Sequence, residues 1–483
     1  MKTKLLRLVA ALITVSLCVI SCASNPSSST DPSESTEQTG TETSRVPETV
    51  IKHSGDPDNE VRAKAYLASL PEHDFDGASF IITAPDPFLF EPSEISYISK
   101  DISERNRAVE EKYNVTISAE KSDIATMYEQ AKTSAAAGMF YSHVMIMPQM
   151  NVPTFDGAGL LMNLRSMPCL DMTAPYFNAS SAAALSVGDR TLGIAGEALP
   201  ASTGLTALVY NKNIANAIGE DTLYSTAVDG LLTWDVVNEY YASALALGYI
   251  GGATDGADAI DALYIASGQN YISAAEGRTP SVAIANYSMN SAALQYRTMR
   301  DIAAKAGVGL DGAYNAFREG KVLFTIAKIG ELDSLNSENT TLGVLPIPKT
   351  VSPDADVKST PYRHLADGLT EVFTVTADVT DSVMVSLVLS ALNAASYGKV
   401  TESLADYLHA TLLPDSRSAD IYEIMAKSAT YDMASAYSTT SDELAAGTVS
   451  LVRYIIESGD FSAFQSSVDA ANRYLVNEFS AGK

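Results

Sequence analysis

The chain has 483 residues, 46% hydrophobic and 19% charged, and its 32 basic against 58 acidic side chains leave a net charge of −26. That acid surplus excludes nucleic acid as a partner, because phosphates demand a basic face, and it excludes adhesion to anionic lipid headgroups. The three cysteines, Cys18, Cys22 and Cys169, cannot build a disulfide framework or a cysteine-rich zinc site, and Cys169 reads as a small core residue.

The N-terminus places Lys2, Lys4 and Arg7 ahead of an apolar run from Leu8 to Ile20. A charged start and so short an apolar run make a secretory signal, expected over residues 1–21, and the run falls short of the ~20 residues a helix needs to span a bilayer. It ends in Val19-Ile20-Ser21-Cys22, which resembles the bacterial lipobox. The resemblance implies cleavage before Cys22 and a diacylglycerol on its sulfur, and two or three acyl chains hold a domain at a membrane where one does not. From Ala23 to about Val50 the chain is rich in Ser, Thr, Glu and Pro. It cannot bury enough surface there to offset ordering entropy, so residues 22–73 are expected to form a flexible tether. The remaining chain is too long for one simple core and predicts two lobes.

Beyond the tether, DFDGASFIITA (74–84) reads as a turn feeding a strand. Ile102, Val109 and Tyr113 then share one face of a helix over 101–113, NVTISA alternates as a strand, residues 127–137 form a helix closed by Gly138, and HVMIMP (143–148) is a buried strand. Strand–helix–strand–helix–strand is the rhythm of an α/β layer with a mostly parallel sheet. A second α/β region starts at TALVYNKNIANAIG (206–219). It continues with a helix over 232–248 capped by Thr233, a helix over 287–306, and strands at GKVLFTIAKIG (320–330) and LGVLPIPK (342–349). The last hundred or so residues are mainly helical.

Four of these stretches, in this order, resemble the extracellular solute-binding proteins of bacterial ABC importers, family 1, which includes the maltodextrin-binding proteins. They are FDG with EEKYNVTISAE, LTALVYNKNIANAIG with LTWDVVNEY, AFREGKVLFTIAKIGEL with LGVLPIPK, and LADGLTEVFTVTAD. The segment from Ser396 to Tyr437 looks most like a clostridial branch. The resemblance implies the two-lobed α/β periplasmic-binding-protein fold of type II, with hinge strands crossing between lobes that close on a ligand. On that pattern lobe one takes 74–205 and 326–370, and lobe two takes 206–325 and 371–483. It further implies a monomer on the outer face of the cell membrane, bound there through its lipid alone, that captures a mono- or oligosaccharide and delivers it to an ABC permease without cofactor or metal. The alternative is a surface lipoprotein that holds polysaccharide or a protein without transport.

Catalytic patterns are missing: the five histidines form no H-E-x-x-H and no close pair, and neither G-x-S-x-G nor a phosphate-binding G-x-x-x-x-G-K occurs. The G-x-G-x-x-G at residues 307–312 follows a helix rather than a strand, so it reads as a helix stop, not a dinucleotide loop. In GGATDGADAID (251–261) the acids recur every three residues, which does not match a calcium loop; it reads as a solvated loop.

Ligands of α/β lobes sit at the carboxyl ends of strands. The first such end offers Asp86 and Phe88, with Phe90 beside them; aromatic faces next to carboxylates suit a sugar. The second offers Gln149 and Asn151. The family resemblance adds Lys328 and Glu331, after a strand where the family often places ligand contacts, although the aromatic of the maltodextrin binders is absent there. Asp367, near the returning hinge strand, is the last candidate. Trp234, the sole tryptophan, is expected to pack at a helix start, and Tyr264, Tyr271 and Tyr287 could supply stacking from lobe two.

Overall fold

The computed structural model describes residues 57–91, 98–220, 222–274, 278–309, 311–352 and 354–480; the expected signal, Cys22 and the tether up to residue 56 lie outside them. Eight strands carry the architecture: β1 (Ala78–Ala84), β2 (Val115–Lys121), β3 (Val144–Pro148), β4 (Thr206–Asn211), β5 (Ile250–Gly252), β6 (Val322–Lys328), β7 (Leu342–Leu345) and β8 (Glu371–Val375). The helices used below are α1 (Pro57–Ser69), α2 (Ser99–Tyr113), α3 (Ile124–Ala137), α4 (Trp234–Ala246), α5 (Ala257–Ala266), α6 (Asn286–Lys305), α7 (Ser382–Ser396) and α8 (Lys399–Thr411).

The first sheet has the order β8-β3-β1-β2, with β1 parallel to β2 and β3, and β8 antiparallel to β3. Its helices start and stop where the local chemistry dictates. Asp123 accepts from Thr126 N at the start of α3 (3.0 Å), a cap worth ~1 kcal/mol, and Gly138 closes that helix at φ +65°. The second sheet has the order β7-β4-β6-β5. All six residues of β4 are buried, as a strand needs to be when it is central and covered on both faces. Thr233 caps α4 through Val236 N, and Trp234 behind it is 4% exposed, packed as expected.

The chain crosses from the first sheet to the second through 199–205. Two backbone bonds join this crossing to the end of β6, Ile329 N to Leu205 O and Gly330 N to Thr203 O, each 2.9 Å. After β7 the chain returns past the buried His364. Its Nε2 accepts from Ile347 N (3.1 Å) and its Nδ1 meets Ser428 Oγ (2.8 Å). A backbone donor at Nε2 requires the neutral ring, and burial holds the imidazole down at about 3.

Two expectations are corrected. The tether does not extend to residue 73, because 57–69 is helical. There the Ser/Thr-rich composition has given way to Asn59, Ala63 and Tyr66 at helical spacing. Asn59 and Ala63 are buried, Asn59 bonds Glu402, and Tyr66 meets Tyr176 and Tyr397 edge-on. The division of the chain also differs from the one expected. Residues 342–345 pair with β4 in the second sheet, whereas 371–375 pair with β3 in the first. The return crossing therefore lies between 346 and 370, later than the family pattern suggested. Beyond β8, the almost wholly buried α7 packs on α1 and α2, α8 packs on α2, and the following helix Ser416–Lys427 packs on α8 and β7. Through β7 this helical layer reaches the second sheet, and through α2 it lies beside the helices of the first.

Candidate functional site

A cavity of about 490 Å³ lies where the carboxyl ends of β1 and β6 meet the start of β8, beneath the 199–205 crossing. Five of the predicted residues line it: Asp86, Phe88, Lys328, Glu331 and Asp367. They come from three separate stretches of chain. The wall is completed by Glu371 and Tyr407, and the Phe88 and Tyr407 rings lie 5.7 Å apart. A second cavity of about 290 Å³ adjoins the first and shares Lys328 and Glu331 with it; Asp255, Asp258, Asp311 and Tyr314 line its far side.

Lys328 stands between the two cavities. Its Nζ is 2.9 Å from Asp367 Oδ2 and 3.1 Å from Asp258 Oδ2. Burial alone would lower its pKa, but the hydrogen bonds and charges of Asp367 and Asp258 more than offset this and raise it. Glu331 Oε2 accepts from Tyr314 OH (3.0 Å) and from Lys328 N (3.2 Å). Burial, with Asp86 adding like charge, pushes the Glu371 carboxyl up to about 7.

Gln149 and Asn151 are not in the lining. Gln149 is fully buried and points the other way: its Nε2 donates to Ala366 O (2.8 Å) and Asp367 O (2.7 Å). Strand β3 ends just before it, and the 3₁₀ turn that follows rotates the amide toward the returning chain instead of the cavity. It fastens the turn that carries Asp367. Asn151, half-buried in the same turn, packs beside the helix Met433–Tyr437.

The tyrosines proposed for stacking are elsewhere. Tyr264 and Tyr271 stack on each other in the core at 4.5 Å, and Tyr287 is 53% exposed. The acidic 251–261 segment is largely not a solvated loop: Asp255 binds Arg300 (2.7 Å) and Ala313 N (2.6 Å), and Asp261 is buried against Arg453 and Tyr271. The sequence could not show this, because the arginines that meet these acids lie about 45 and 190 residues away. At 307–312, Gly307 follows the end of α6 at φ +80° as a helix stop. Among the described residues no group of three or more His, Cys, Asp or Glu could hold a metal ion.

Sequence reasoning missed Glu371 and Tyr407. Glu371 carried a signal, a lone carboxylate opening the otherwise uncharged EVFTV strand. Tyr407 carried none, since nothing local marks one residue of an amphipathic C-terminal helix as facing a cavity. Chemically the site offers aromatic faces, several carboxylate acceptors and the backbone of a crossing segment. A set of that kind is chemically suited to a polar solute with apolar C–H patches.

A family model described as bacterial extracellular solute-binding protein matches residues 105–363. No curated protein matches the sequence. Among solved structures, a cyclo/maltodextrin-binding protein complexed with maltotetraose superposes with a TM-score of 0.51 at 14% identity, covering 83% of this chain and 97% of that one. A family 1 extracellular solute-binding protein from Bifidobacterium longum subsp. infantis gives 0.49 at 13% identity, covering 83% and 99%. The galacto-N-biose-/lacto-N-biose I-binding protein of the Bifidobacterium longum ABC transporter, in complex with lacto-N-biose, gives 0.47 at 14% identity, covering 85% and 100%. At such identities the likeness is one of fold.

Proposed function

The chain belongs to the bacterial extracellular solute-binding proteins, and from that premise we propose that it captures a carbohydrate between two lobes and delivers it to an ABC permease. One lobe is built on β1, β2, β3 and β8, the other on β4 to β7, and the crossings near 199–205 and 346–370 serve as the hinge. The protein acts as a monomer on the outer face of the cell membrane, held there by a lipid on Cys22. Function then needs no bond-making: solute favours the closed form, and the closed form is what the permease receives.

The observation that carries this reading is the convergence of Asp86, Phe88, Lys328, Glu331 and Asp367 on one cavity beside the crossing segment. The Phe88–Tyr407 pair and the surrounding carboxylates are of the kind that suit a sugar's C–H faces and hydroxyl donors. The maltotetraose held by a protein of the same fold supports the choice of carbohydrate.

A thermal-shift screen of the full chain in detergent tests it, with mono- and oligosaccharides against amino acids and short capped peptides. A ligand at a hundredfold excess over its Kd stabilises the folded state by about 2.7 kcal/mol, so a sugar should raise Tm by several degrees. A shift with peptides alone, or with no solute at all, would overturn the carbohydrate reading.

A further inference from the structure

We infer that the cleft sorts solutes by charge, admitting neutral and cationic ones and rejecting anionic ones, because its single lysine is already neutralised before a solute arrives. The inference rests on reading this cavity as the solute site, but not on the solute being a sugar.

The geometry begins with the turn that carries Asp367. Four bonds fasten it to the end of β3: Gln149 N to Thr370 O (2.9 Å), Met150 N to Gly368 O (3.0 Å), and Gln149 Nε2 to the carbonyls of 366 and 367. Within the turn, Asp367 Oδ1 accepts from Leu369 N (3.0 Å). Only Oδ2 is left facing the cleft, and Lys328 occupies it. Lys328 in turn is fixed at the end of β6 in the second sheet, with Asp258 of α5 as its other partner. The pair therefore joins a turn anchored on the first sheet to a strand of the second, and the ammonium is shared by two carboxylates.

Lys328 is the only basic side chain among the described residues lining either cavity. Among the described residues no cation pairs with Asp86, Glu331 or Glu371. Asp86 Oδ1 receives only Phe88 N (3.3 Å), and Glu331 has one oxygen uncommitted. Asp311 adds a further acid in the second cavity. Low-dielectric walls lined by one sign of charge focus that field inward, and the chain's net charge of −26 reinforces it from outside. An anionic solute must either sit against Asp86 and Glu371 or take Lys328 from both its partners. A neutral or cationic solute does neither.

Titration calorimetry on the full chain tests this with matched sets differing only in charge. One set is a glucose trisaccharide, its terminal carboxylate derivative and its amino derivative; the other is a capped neutral tripeptide with its Glu- and Lys-bearing counterparts. In whichever set binds, the anionic member should be at least tenfold weaker than the neutral one at pH 8, and the cationic member no weaker than the neutral one. The Asp86→Asn, Glu371→Gln double variant should narrow the anionic-to-neutral ratio to below about threefold, and Lys328→Met should widen it. Equal binding of anionic and neutral members by the native chain, or a ratio unmoved in both variants, overturns the inference while leaving the carbohydrate reading intact. Charge sorting seen only among peptides does the reverse. Binding by neither set removes the cleft as a solute site, and the inference with it.

Discussion

Replacing Glu371 with glutamine should make the protein more stable at alkaline pH, by an amount the cleft itself sets. The carboxyl moves from an ordinary 4.5 to about 7 on folding, through burial and then the nearby Asp86. A carboxyl whose pKa is raised holds its proton longer in the folded state. Its contribution is therefore full below about 4.5, declines as pH rises toward 7, and is level above that. The interval is about 2.5 pH units at ~1.36 kcal/mol each, an upper bound near 3 kcal/mol. Glu371 is only partly buried, and solvent screening reduces the effect to roughly 1–3 kcal/mol. Urea unfolding of native and Glu371→Gln proteins at pH 4.5, 6 and 8.5 reads it directly. The variant's advantage should be near zero at the lowest pH and should reach that figure at the highest. An advantage that does not change with pH would mean that Glu371 ionises without penalty, and the account of its surroundings would be wrong.

Gln149→Leu removes the two amide bonds to the carbonyls of 366 and 367 and leaves buried acceptors unpaired, so it should lower stability by about 2 kcal/mol; loss of less than about 0.5 kcal/mol in urea unfolding would mean the amide is dispensable. Gly398→Ala places a Cβ at φ +68°, where it overlaps the buried Asn59 side chain, so α1 must shift. We expect a loss of about 2 kcal/mol together with faster limited proteolysis within 57–69. Unchanged cleavage there would show that α1 does not depend on this contact.

Much of the fold was legible because its signals are local. The apolar TALVYN run, the Asp123 and Thr233 caps and Gly138 each announce an element boundary within a few residues. The cavity was legible to the extent that strand ends mark it, which found Asp86 and Phe88; Lys328, Glu331 and Asp367 came from the family pattern. What failed was orientation and pairing at long range. Gln149 sits at a strand end, yet the 3₁₀ turn aims it at a carbonyl 218 residues away. The membership of β7 and β8 in their sheets depends on which strand each pairs with, and no periodicity records that. Buried Asp261 and solvated Asp258 look alike in sequence, and only Arg453, folded back from the far end, tells them apart.

The docking of α1 bears on mechanics. Whatever pulls on the chain from its N-terminal side enters the described fold at Pro57, and the load passes into α7 and, through Asn59 and Glu402, into α8. That route runs on to the first crossing: Ala198 N donates to Asn393 of α7 (3.0 Å), and Gly398 N, just ahead of α8, donates to Glu197 (3.1 Å). Traction arriving at Pro57 would therefore bear on the segment that roofs the cavity, so a pull from the N-terminal side should change solute affinity.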